Sequence, residues 1–223
     1  MKSWFTRRKQ TVAQDSSKNE EVLQLLEELN SFATRQSNLE ELKKGREHYF
    51  GKTGQVFEDE PDFEHRMNCF LEWFIFDFKS GGAETSTVFE KFIDSKRESL
   101  SNEEMVFLMN VGKHIHSVFK VKSCSDGVIK MKELVGGKVY QLPSEDKLEK
   151  GDLLERRLLC LEDCCCFFHT YALHPKLAYK PLMAELKKRK KSGLNPDFFV
   201  RLQAMQIKWR RSRQINVRDI YRF

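Results

Sequence analysis

The stretch SVFKVKSCSDGVIKMKELVGGKVYQL, residues 117–142, decides the fold class. Within it SVFKVKS, VIKM and KVYQL alternate apolar and polar residues, the two-residue period of a half-buried strand. Gly127 and the pair Gly136 and Gly137 separate them as turns. GDLLERRLLCL (151–161) follows, then a turn at Glu162 and Asp163, then CCCFFHTYAL (164–173). Five short strands at this spacing predict a small, strongly bent sheet or barrel of SH3 or OB type over 115–174.

The residues on either side read as helices, so the expected class is α+β. Upstream, Ser17 and Glu20 form a capping-box pattern, followed by Val22, Leu25, Leu26, Leu29 and Phe32 at helical spacing. A second box, Ser37 to Glu40, restarts or continues the helix toward His48, and Gly51 and Gly54 break it. Pro61 suits the first turn of PDFEHRMNCFLEWFIFDF (61–78), a helix with apolar residues on two faces and therefore central to its domain. Boxes at Thr87/Glu90 and Ser101/Glu104 open two short helices. Downstream, Pro175 ends the sheet, LAYKPLMAELKKRKK is helical, and Asn195 with Pro196 opens a last helix, DFFVRLQAMQIKWRRSR. The expected organisation is a loose N-terminus (1–16), a helical part (17–114), the barrel (115–174) and basic helices (175–223) packing on the rest.

The net charge of +6 is unevenly spread, since residues 185–223 hold 12 Lys or Arg against 3 Asp or Glu. Lys187, Lys188, Arg189, Lys190 and Lys191, with Lys208, Arg210, Arg211 and Arg213, are candidate contacts for a nucleic acid or an acidic partner. Clustered cations attract phosphate backbones, and Trp209 and Tyr221 are candidate stacking rings. The spacing of Trp209 with Phe198, Leu202 and Met205 points to a core role for that ring instead.

The six cysteines (69, 124, 160, 164, 165, 166) raise the question of metal. On a strand Cys164, Cys166 and Phe168 share one face while Cys165, Phe167 and His169 share the other, so three consecutive residues cannot converge on a tetrahedral ion. Cys160 and Cys166 can approach across the hairpin. His65 with Cys69, and His114 with His116 on one strand face, each supply two ligands and no third. MKSWFTRRKQ lacks a signal-peptide core, and no window approaches the ~18 apolar residues of a membrane span. A cytoplasmic location follows as the expectation, and with it free thiols.

No nucleotide-binding loop, nucleophile elbow or His-Glu-x-x-His pattern is present. Glu72 and Asp77 on the aromatic helix are the most suspicious carboxylates, whereas Asp152 reads as a turn residue opening the fourth strand. Burial would raise the pKa of Glu72, whereas an arginine partner would make it structural. The expectation is a protein without catalytic residues or cofactor. Its expected role is an intracellular adaptor or scaffold for a protein partner. The alternative is a nucleic-acid-binding module using the basic C-terminal region.

As a set, YFGKTG, EDEPDFEHRMNCFLEWFIFDF, IHSVF, KGDLLERRL, LHPKLA and LQAMQIKWRR with the ending DIYRF resemble an uncharacterised bacterial protein family of delta-proteobacterial type, over roughly 46–223. The resemblance implies that aromatic helix, barrel and C-terminal helix form one unit. It implies no activity, substrate or catalytic residue.

Overall fold

The computed structural model describes residues 16–79, 81, 85–144, 146–160, 165–189, 193–212 and 214–223; nothing is said here of the others, nor of the side chains of residues 16–23, 167 and 169. The architecture is α+β, helices with a nearly closed five-stranded antiparallel barrel. The chain divides into two compact units. The first holds the residues up to Gly51 and Gln55–His114; the second holds Lys52–Gly54 and Ile115–Phe223.

The first unit is helical: α1 (Ser16–Thr34), α2 (Leu39–Thr53), α3 (Phe63–Phe76), α4 (Val88–Lys96) and α5 (Asn102–Gly112). α1 begins at Ser16, two residues before the Lys18 start that an N-cap at Ser17 predicts. The break before α2 falls at a 3-10 turn, Gln36–Asn38, where the Asn38 amide donates to the Phe32 carbonyl at 2.6 Å. Gly51 does not break α2. The helix continues to Thr53, and Gly54, at φ +89°, supplies the left-handed step past its end. Both downstream capping boxes form as predicted. Glu90 N–H donates to Thr87 Oγ1 at 3.2 Å and Glu104 N–H to Ser101 Oγ at 3.2 Å, with the reciprocal carboxylate bonds in place.

α3 is central, as its two apolar faces require. Phe70, Trp73, Phe74 and Ile75 are buried, and Arg66 and Glu72 are buried beside them. Rings from α2 close on it, Tyr49 at 5.2 Å from Trp73 and Phe50 at 5.4 Å from Phe70. Gly45 permits the approach, because a Cβ there would lie 2.8 Å from Phe74 Cδ2.

The second unit is built on β1 (Ile115–Ser125), β2 (Val128–Glu133), β3 (Val139–Pro143), β4 (Leu153–Cys160) and β5 (Cys165–His174), in the order β3-β2-β1-β4-β5 with every neighbour antiparallel. β3 and β5 therefore both run parallel to β1 and come side by side to bring the barrel almost to closure. Of the two expected barrel types, this connection is the OB arrangement. Asp126 and Gly127, at φ 52° and 71°, make the two-residue turn between β1 and β2.

Two cores flank the strands. Inside the barrel lie Phe119, Val121, Ile129, Met131, Tyr140, Leu142, Leu148, Leu154 and Leu158. Outside it, Val118 and Leu153 pack under α6 (Tyr179–Arg189), α7 (Pro196–Arg211) and the short α8 (Val217–Ile220), through Leu182, Leu186, Phe199, Leu202, Ile220 and Tyr221. β4 is thus buried on both faces. Asn195 caps α7, its Oδ1 accepting the Phe198 N–H at 2.9 Å, with Pro196 in the first turn.

Candidate nucleic-acid interface

The C-terminal cations predicted from the sequence do not make one patch. Lys187, Lys188 and Arg189 form the last turn of α6, and Lys208, Arg210 and Arg211 the last turn of α7. The Arg189 guanidinium lies 5.2 Å over the ring of Phe198, so the end of α6 meets the beginning of α7. Lys208 is ten residues further along α7, about 15 Å at the helical rise. The first cluster is also partly neutralised, with Glu185 at 2.6 Å from Arg189 and 3.5 Å from Lys188. Both clusters sit where cations stabilise a helix end. Lys190, Lys191 and Arg213 lie outside the described residues.

A different basic surface appears on the barrel. α6, α7 and α8 cover the outside of β1 and β4, while the outside of β2 and β3 stays open. Lys130 and Lys132 on β2, and Val139 and Gln141 on β3, are exposed there. On β1, Lys120 stands directly opposite Lys132, and a register shift between Val121 and Ser123 inserts Lys122, also exposed. Lys132 in turn faces Val139, and Lys130 faces Ser123 and Gln141. With strands ~4.8 Å apart and same-face residues ~6.7 Å apart, four ammonium stems rise from a patch roughly 10 Å wide. Lys138, exposed just before β3, flanks it. No Asp or Glu occupies an outward position of this patch among the described residues. Like charges directly opposite across a ladder cost stability, and the sheet keeps them.

Sequence reading passed over these lysines because they are spread through 120–138 and look like the solvated half of an alternating strand. The cue was the register. A turn of two residues at Asp126 and Gly127 fixes which lysines face each other.

The helical layer is held to the barrel by a buried carboxylate. Glu155 on β4 is 2% exposed. Its Oε1 accepts from His116 Nε2 at 3.1 Å and from the Gln203 amide of α7 at 2.7 Å. Its Oε2 faces His174 Nε2 at 3.6 Å, and His174 Nδ1 meets the Tyr221 hydroxyl at 2.9 Å. Assigning the hydroxyl proton to that last bond places the imidazole proton on Nε2, toward the carboxylate. Burial pushes the Glu155 carboxyl up, but the hydrogen bonds and charges of His116 and His174 more than reverse this and hold it at about 2. Burial, then the charge of Glu155, raises the Tyr221 phenol far above its usual range. The His116 ring also stacks on Phe199 at 3.5 Å. Charged residues within LLERRLLC give no sign of this in sequence, since ERR reads as the polar side of a strand.

The histidine and cysteine pairs fall apart in space or change partners. His114 lies before β1, its ring 4.8 Å from Phe76 and its Nδ1 2.9 Å from the Val111 carbonyl, whereas His116 faces Glu155; the two do not share a strand face. His65 Nε2 and Cys69 Sγ approach to 3.7 Å on α3. The expectation of free thiols needs correction, because Cys160 and Cys165 form a disulfide. The register of the β4–β5 hairpin sets Cys160 opposite Cys165 with Cα atoms 4.1 Å apart, one residue from the Cys160–Cys166 approach predicted. Cys69, Cys124 and Cys166 take no part in that bridge. Cys164 lies outside the described residues, as does the side chain of His169. Among the described residues no group of three or more His, Cys, Asp or Glu is placed to hold a metal ion.

The suspicious carboxylates have local roles. Asp77 terminates α3, its N–H donating to the Trp73 carbonyl at 2.9 Å. Asp152 accepts the Glu149 N–H at 2.8 Å in the turn before β4. Glu72 is buried within α3. Among the described residues no helix is long and apolar enough to cross a membrane.

A family model described as a family of unknown function, DUF7986, matches residues 16–197, most of the chain. The chain belongs to DUF7986. The uncharacterised family that the motifs resemble is met at that level. In this DUF7986 chain the matched span takes in all five strands and the lysine patch, while Gln203 and Tyr221 lie beyond it. No curated protein and no solved structure matches the chain.

Proposed function

We propose that the second unit binds the phosphate backbone of a nucleic acid through the open outer side of β1, β2 and β3. The observation that carries this is Lys120 facing Lys132 within a four-lysine patch whose outward positions hold no acid among the described residues. A polyanion turns that repulsion into attraction. Lys187, Lys188, Lys208, Arg210 and Arg211 then serve as outlying cations that extend the field without forming the site. OB-type barrels do bind oligonucleotides on strands 2 and 3, but that is an analogy of fold and carries less weight than the charges.

The test is fluorescence anisotropy with labelled 20-mers at 50 and 200 mM salt. About four phosphate contacts weaken binding on the order of a hundredfold over that range. The variant Lys130→Glu with Lys132→Glu is expected to lose most of the affinity and to flatten the salt dependence. Unchanged binding by that variant removes the barrel patch from the reading.

A protein-partner role for the first unit rests on Val106 and Met109. They stand one turn apart on α5 and are 59% and 50% exposed. This supports the adaptor expectation for that unit without competing for the lysine patch.

A further inference from the structure

We infer that the ligand of the lysine patch is duplex nucleic acid gripped without regard to sequence, an inference that rests on the backbone-binding reading above. Single-strand binders combine a basic groove with aromatic rings on which bases stack, each worth about 1–3 kcal/mol. Here the outward positions of β2 and β3 are Lys130, Lys132, Val139 and Gln141. The one ring on these strands, Tyr140, points into the barrel core and is 6% exposed. A ring beside the patch is that of Tyr179, and the Lys120 ammonium already lies 4.0 Å over it; the Lys138 ammonium likewise lies 5.0 Å over the ring of Tyr140. Among the described residues, a base has no open ring face to meet at the centre of this surface.

Phosphate attraction alone therefore sets the affinity, and phosphate attraction favours the duplex. Double-stranded DNA carries one charge per ~1.7 Å of axis against ~3.4 Å for each strand, and each neutralised phosphate releases more counterion, ~0.9 against ~0.7. The cations are lysines, point charges on flexible stems that follow a backbone; they lack the planar fork with which arginine reads guanine edges. Contacts of this kind fix position and carry no sequence information.

The full chain is titrated by anisotropy with four labelled probes of equal length at 100 mM salt: an A·T-rich duplex, a G·C-rich duplex, and one strand of each. Phosphatidylserine vesicles form a fifth arm, followed by co-sedimentation. The expected result is equal affinity for the two duplexes within about threefold. Each single strand should bind at least fivefold more weakly, and Lys130→Glu with Lys132→Glu should weaken all four probes by a similar factor. Tighter binding of a single strand, or a tenfold preference between the duplexes, overturns this inference and leaves backbone binding standing. Vesicle binding without binding to any probe overturns both, as does the absence of binding to all five.

Discussion

Glu155 joins β1, β4, β5, α7 and the segment after α8 through four side chains, and its ionisation is tied to folding. Its carboxyl titrates near 2 in the folded protein and near 4.5 when unfolded. The unfolded chain thus binds the proton more readily, and stability rises with pH across that interval. The contribution is complete above about pH 4.5 and is lost as pH falls toward 2. A shift of this size corresponds to on the order of 3 kcal/mol. Urea midpoints at pH 5 and pH 2.5 are expected to fall further for the native chain than for Glu155→Gln, and the variant is expected to start lower at pH 5. Equal losses in the two proteins would mean that the carboxylate contributes nothing specific. None of this was legible in the sequence. His116, His174, Gln203 and Tyr221 are scattered over 106 positions, and only tertiary packing brings them to one carboxylate.

Local elements were far more legible, for a physical reason. A capping box is a contact between residues three apart, and the boxes at Thr87 and Ser101 need nothing beyond their own turn. The first three strands likewise declared themselves by alternation. What the strands hid was their pairing, which fixes the neighbours Lys120 and Lys132 and the bridge of Cys160 to Cys165. The helix through Gly51 was missed because glycine lowers helix propensity by only ~1 kcal/mol, less than the packing of Tyr49 and Phe50 on α3 returns. Register also yields a prediction on stability. Lys132→Glu exchanges a cross-strand repulsion for an attraction with Lys120, which should stabilise the barrel by roughly 0.5–1 kcal/mol. Thermal melting is expected to move up by a few degrees. A variant that melts higher and binds nucleic acid more weakly would mark the lysine as kept for its ligand; a lower melting temperature would contradict the repulsion argument.

Charge separates the two units. The first unit holds 15 Lys or Arg against 21 Asp or Glu, and the second holds 24 against 12. The first is net acidic and the second strongly basic, so a polyanion selects the second. Distinct roles then predict separable losses. Val106→Glu with Met109→Glu should abolish capture of a protein partner in a pull-down while leaving duplex affinity unchanged. Lys130→Glu with Lys132→Glu should do the converse. Two pairs of substitutions that each impair both readouts would mean that the units act as one binding surface.

The carboxylate at the centre of the second unit also sets an order of events during synthesis. Glu155 leaves the ribosome 48 residues before Gln203, and His174 47 residues before Tyr221. Until those later residues emerge, the emerging barrel holds a charged side chain on a surface that the finished protein keeps dry. Burying it early would strand an anion without its donors. The nascent strands must therefore wait, solvated on that side, and the helical layer completes them all at once.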